Sequence, residues 1–168
     1  MKSYSETDVF SPLAQAVHKL VSGLMSLLPD PEPRQPPWRC HEVARAVLTL
    51  LEEPLQAGGS GASLHVFDGK YGPPSKGGVE HSWLILLEPN KSGVVLDPYA
   101  VGRLPQVQLI DWELQLACMY QASSYRTDIN KDVVQHMVEH WRKALADEQE
   151  QFCSIVRWLR AEDVPVPT

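Results

Sequence analysis

The sequence predicts an α+β domain: a helix opening at Cys40, a small antiparallel hairpin carrying His81 and Asp97, and further helices toward the C-terminus. Three observations lead there. Apolar residues recur at helical spacing over residues 13–28 and again over 43–51. Two strand-like runs, 79–88 and 93–97, flank P-N-K-S-G as the arms of a hairpin flank its turn. Val133, Met137, Trp141, Leu145, Phe152, Val156 and Leu159 then restore the helical period, as one helix or two.

The elements follow in order. The first ten residues are polar and predicted to be flexible, and Ser11 with Pro12 supplies an N-cap and first-turn proline for a helix with Leu13, Val17, Leu20 and Leu24 on one stripe. Five prolines among residues 29–37 exclude a helix there and give a turning connector that aims Cys40. Residues 40–53 are rich in helix formers, with Val43, Ala44, Val47, Leu50 and Leu51 on the buried stripe, and the helix is expected to stop before Pro54. A glycine turn at 58–61 precedes a short strand, S-L-H-V-F-D, and then a long loop, G-K-Y-G-P-P-S-K-G-G, read either as a lid before His81 or as a plain surface loop. It lacks the G-K-[ST] ending of a phosphate-binding loop. Beyond the hairpin, Leu104, Val107 and Leu109 alternate in a stretch broken by Pro105, as in an edge strand. Asp111 is a candidate cap for a helix over W-E-L-Q-L-A-C-M-Y-Q, and Asn130 or Asp128 for the longer helical stretch. No repeat or interior linker divides the chain, so residues 1–168 are expected to form a single domain.

Bulk properties narrow the function. A chain of 168 residues buries about two-thirds of its unfolded surface and builds a core without staples. With 43% hydrophobic residues, 21% charged and no apolar run near the ~20 residues of a membrane span, a soluble protein without a membrane partner is expected. The start, M-K-S-Y-S-E-T-D, lacks a secretory signal, which predicts a cytoplasmic location and leaves signal-independent export open. A net charge of -6 argues against nucleic acid as a partner. Cys40, Cys118 and Cys153 form no C-x-x-C pair, and their odd number reads as reduced thiols. His136 and His140 stand at i, i+4 without the H-E-x-x-H order or a third ligand, and adjacent Cys40 and His41 diverge on a helix, so neither metal nor cofactor is expected.

Three residues carry chemistry. Cys40 opens a helix, where the N-terminal dipole favours a thiolate and a backbone N–H is free for an oxyanion; His81 lies in one apolar run and Asp97 closes the next. A free thiol is only a few per cent ionised at neutral pH, so a catalytic one needs a helix dipole or an imidazolium beside it. His81 would take the thiol proton and return it to a leaving group, and Asp97 would orient the imidazole. Singly, each has a structural reading: a small buried apolar side chain for Cys40, a satisfied core histidine for His81, a turn former before Pro98 for Asp97. Their joint order on these elements favours the thiol enzyme.

C-H-E-V-A at 40–44, E-H-S-W-L at 80–84 and V-V-L-D-P-Y at 94–99 together resemble the transglutaminase-like superfamily of papain-fold cysteine hydrolases, over roughly residues 38–99. Trp83 two residues after the histidine and Pro98 after the aspartate agree with that pattern, whereas R-C replaces the usual G-x-C and residues 62–66 only loosely echo the usual apolar-Pro-Ala-Arg strand. The resemblance implies a papain-like core, Cys40 as nucleophile, His81 as base and Asp97 as orienter, and an amide or ester of a protein or peptide split through a thioester. Protease, deamidase, transglutaminase and acyltransferase outcomes stay open. It also makes Gln35, Trp38 and Trp83 candidate substrate-binding or oxyanion residues, with a solvated loop position the rival reading for Gln35 and an anchor for the connector the rival for Trp38. A different class of reading is an inactive papain-like scaffold that binds a partner through its acidic surface and its C-terminal helices, and a third is a self-associating helical regulator.

Overall fold

The structure, a computed structural model, describes residues 10–27, 39–99, 108–111, 119–123, 125–144 and 150. Gln35 and Trp38, Cys118 and Cys153, and the expected helical pattern beyond Ala144 lie outside them. Within them run α1 (Pro12–Ser26), α2 (Cys40–Ala57), β1 (Ser63–Tyr71), β2 (Val79–Leu87), β3 (Val94–Asp97), β4 (Gln108–Asp111), β5 (Tyr120–Ala122) and α3 (Lys131–Ala144). The strands form one antiparallel sheet in the order β4-β3-β2-β1-β5.

Helices α1 and α3 begin at capping residues in the sequence, whereas α2 begins at Cys40 with no side-chain cap from Arg39. Ser11 Oγ accepts the Ala14 N–H at 3.0 Å with Pro12 in the first turn, and the same hydroxyl donates to the Glu88 carboxylate just after β2. Asn130 Oδ1 accepts the N–H groups of Asp132 (3.1 Å) and Val133 (3.2 Å), which makes Asn130 rather than Asp128 the cap of α3. Asp128 pairs with Arg126 and Arg39 instead.

The alternating side chains of the sheet build two apolar layers. Leu64, Val66, Leu84, Leu86, Val94 and Leu96 face the helices and join Val17, Val21 and Leu24 of α1, Val43, Val47 and Leu51 of α2, and Met137 and Trp141 of α3. Trp83, Ile85, Val95 and Tyr120 form a second cluster on the opposite face, flanked by Phe67, Tyr71 and Met119. Central strand β2 is therefore buried on both sides from His81 to Leu86, which explains why S-W-L-I-L reads as a continuous apolar run rather than an alternating one.

Three expectations are corrected. Helix α2 continues through Pro54 to Ala57 instead of stopping at Glu53. The missing proline N–H costs about 3 kcal/mol in a helix interior, and full burial of Leu55, worth about 1.5–3 kcal/mol, offsets it. Gly69, Lys70 and Tyr71, expected in a loop, continue β1 because they pair with both β2 and β5. The loop is thus only residues 72–78, with a single 3-10 turn at Pro74–Lys76 and Gly77 and Gly78 at positive φ (75° and 61°). Tyr120 and Gln121, expected in a helix, are strand residues, because pairing with β1 puts Tyr120 in the second apolar layer. Asp111 ends β4 opposite Val94, and residues 112–118 of the helix it was expected to cap lie outside the described residues.

The hairpin of β2 and β3 turns over residues 88–93, with Asn90 at φ 59°, a left-handed conformation that asparagine tolerates. At the other end of β1, Gly69 is required by contact: a Cβ there would lie 1.9 Å from the Gln121 carbonyl oxygen. Gly69→Ala is expected to push β5 off β1 and to lower stability by about 1–3 kcal/mol, the usual cost of overpacking. Urea denaturation measures it, and an unchanged midpoint would contradict the close approach.

Candidate active site

The strand register places His81 beside Asp97. Leu84 lies opposite Leu96 and Ile85 opposite Val95, so Asp97 falls opposite Trp83, one same-face step along β2 from His81. Across that step His81 Nε2 and Asp97 Oδ2 are 2.7 Å apart, both residues 1% exposed. Asp97 has two further donors: the Tyr120 hydroxyl to Oδ2 at 2.8 Å and the Tyr99 N–H to Oδ1 at 3.2 Å. Burial, with the charge and hydrogen bond of Asp97, holds the Tyr120 hydroxyl firmly in its protonated form. The His81 ring is set by aromatic neighbours, edge-on to Tyr71 at 5.9 Å and stacked on Trp83 at 6.2 Å.

Burial alone would push the His81 pKa down, but Asp97, through its hydrogen bond and charge, and the Cys40 thiol outweigh it and raise it to about 9. With Nε2 engaged by Asp97, the buried Nδ1 has no hydrogen-bond partner at ordinary distance, and it is the ring nitrogen left for the thiol. Cys40 itself is half-buried at the first residue of α2. That start is held by Glu42, a buried carboxylate that takes the Arg39 guanidinium and, at 3.1 Å, the Asn130 N–H at the head of α3. Burial opposes the Glu42 charge, and these donors overcome it and keep the pKa below the usual carboxylate range.

A second polar chain reaches Cys40 through the helix-facing side of the sheet. Arg45 grips Asp68 with both terminal nitrogens, at 3.1 and 2.7 Å, and the Arg126 N–H adds a bond at 2.9 Å. The Ser82 hydroxyl donates to the same carboxylate at 2.5 Å, and His41 Nδ1 lies 2.7 Å from Ser82 Oγ. The His41 ring returns to the thiol, with Nδ1 3.6 Å and Nε2 4.0 Å from Cys40 Sγ. Burial, then the charges of Arg126 and Arg39, lower the His41 pKa, so its ring is neutral at neutral pH.

The structure therefore brings Cys40, His81 and Asp97 together at the meeting of α2, β2 and β3. Trp83 is fully buried behind His81, so it backs the histidine and offers no surface to a substrate. His136 is exposed, and His140 donates to the Leu27 carbonyl at 3.1 Å. Sequence reasoning missed Tyr120 and the Arg45–Asp68–Ser82–His41 chain. A signal for the chain exists in the alternation Leu64, Val66, Asp68 and Ser82, Leu84, Leu86: each core-facing row ends in a polar residue, and Asp68 pairs with Ser82 in register. Among the described residues, no cluster suited to a metal ion is present, and no helix is long and apolar enough to cross a membrane. Comparison with protein-family models, with curated proteins and with solved structures returns no match.

Two outcomes are expected. Tyr120→Phe removes a buried donor from a carboxylate and should cost about 1.5–3 kcal/mol in urea denaturation; a loss below a few tenths would contradict the bond. Because the folded-state pKa of His81 is raised, the stability it contributes is complete below its unfolded value of ~6.5 and is lost as pH rises toward about 9. Denaturation midpoints across that window should fall in the native protein and flatten in Asp97→Asn, and equal slopes would refute the pair as their source.

Proposed function

We propose that the chain is a thiol-dependent hydrolase or acyltransferase with a papain-like active site, acting on an amide of a protein or peptide. The observation that carries this reading is the buried 2.7 Å His81–Asp97 contact beside a helix-opening cysteine, with the second imidazole nitrogen unpaired. A protonated histidine in a buried apolar layer is costly unless something negative faces it, and here Asp97 and the Cys40 thiol are the groups that favour its charge.

The chemistry follows from the placement. The Cys40 thiolate attacks the carbonyl carbon, the oxyanion meets free N–H groups of the first turn of α2, and His81 passes the Nδ1 proton to the leaving amine. Asp97 keeps the Nε2 side of the ring occupied, so the proton in play is the one facing the sulfur. The thioester then goes to water or to an amine.

The test combines alkylation with turnover. Brief iodoacetamide treatment at neutral pH, read by peptide mass spectrometry, should label Cys40 far ahead of Cys118 and Cys153, and His81→Ala should remove that lead. With p-nitrophenyl acetate as acyl donor, Cys40→Ala should abolish turnover, His81→Ala should lower it by about 10²–10⁴-fold, and Asp97→Asn should lower it less. Equal labelling of the three cysteines, or turnover surviving in folded Cys40→Ala, would refute the reading and favour a scaffold that binds a partner.

A further inference from the structure

The thiol has an imidazole on each side, and the two are prepared differently. Asp68 receives Arg45 twice, the Arg126 N–H and Ser82; burial opposes its charge, but these donors keep its pKa below the usual carboxylate range, so it only accepts. The single Ser82 proton is therefore committed to Asp68, and Ser82 Oγ can only accept from His41. This fixes the His41 proton on Nδ1 and leaves the lone pair on Nε2, whose hydrogen-bonding neighbour among the described residues is Cys40 Sγ at 4.0 Å. The Arg45 bond to the His41 carbonyl, at 3.1 Å, fixes the backbone from the same guanidinium.

We propose that His41 is a second catalytic base at Cys40, locked in the Nδ1–H tautomer by the Arg45–Asp68–Ser82 chain, and that it takes the proton from the nucleophile that discharges the thioester. The inference rests on the thiol-acylation reading above. In the step, the oxygen of water or the nitrogen of an amine bonds to the thioester carbon and its proton moves to His41 Nε2. The carbon–sulfur bond breaks, its electron pair returns to Cys40 as thiolate, and His41 releases the proton to solvent. His81 gives its proton to the leaving group and regains one from solvent, matched by the proton that His41 releases, so it is charged again while the thioester is discharged. Two titratable groups whose surroundings push their pKa values apart divide acid and base roles in this way, and His41 and His81 are shifted in opposite directions.

Asparagine at position 41 separates the two nitrogens of the ring: its amide N–H can replace the Nδ1–H donor to Ser82 while nothing replaces the Nε2 lone pair. With p-nitrophenyl acetate, native protein should release a burst of nitrophenolate equal to the protein concentration and then turn over steadily. His41→Asn should keep the burst amplitude and lose about 10²-fold in the steady phase, with added hydroxylamine, a nucleophile needing little base assistance, restoring much of it. The groups facing His41 are Arg39 just before α2, Cys40, Glu42 and Arg45 of α2, Asp68 of β1, Glu80 and Ser82 of β2, and Arg126. Among these, its lowered pKa predicts that native steady turnover stays level to below pH 6.5 before falling. A steady phase in His41→Asn within a few-fold of native would overturn the proposal. Should that variant not fold, the solvent isotope effect on the native steady phase decides: its presence supports a base and its absence overturns it. Nitrophenolate release that is the same in folded Cys40→Ala as in the native protein overturns the thiol reading itself, and this inference with it.

Discussion

The contact between His81 and Asp97 is the interaction on which the rest of the site depends. Both side chains lie in the second apolar layer of the sheet, where an unpaired charge is not tolerated. Asp97 is made acceptable there by His81, Tyr120 and the Tyr99 N–H. Tyr120 reaches it only because β5 lies on β1, and β5 lies there only because residue 69 has no side chain. A glycine contact two strands away from Asp97 thus helps to fix its carboxylate.

The sulfur is placed from the other side of the sheet. Helix α2 covers the helix-facing apolar row through Val43, Val47 and Leu51, and its first turn is tied to α3 by Glu42 and Asn130 and to the sheet by His41 and Ser82. Cys40 is consequently held where the end of α2 meets the edge of the second layer. Isolated surface ion pairs contribute little to such placement, and Arg126 with Glu80 and Asp128 is of that kind. Asp68 and Glu42 differ because both are buried and each gathers donors from more than one element.

What the sequence made legible was local. Ser11-Pro12 starts α1 and P-N-K-S-G joins β2 to β3 through neighbouring residues, and the helix formers from Cys40 onward mark α2, whose first turn Glu42 and Asn130 then tie to α3. The approach of His81 to Asp97 was readable for the same reason, since one short hairpin sets their register. Pro54 misled because the burial of Leu55 is a tertiary gain invisible to propensity. Tyr120 misled because L-A-C-M-Y-Q has helical composition, and only pairing with Gly69–Tyr71 makes its end a strand. The Arg45–Asp68–Ser82–His41 chain joins three elements, and no spacing rule connects residues 45, 68 and 82 before the sheet is built.

A charged His81 between Asp97 and Cys40 is the centre of the site, and NMR titration of its ring measures that charge directly. The account predicts that His81 remains protonated until about pH 9 in the native protein and loses its proton at clearly lower pH in both Asp97→Asn and Cys40→Ala. A His81 that titrates at or below the ordinary value of ~6.5 in the native protein, unmoved by either substitution, would contradict it.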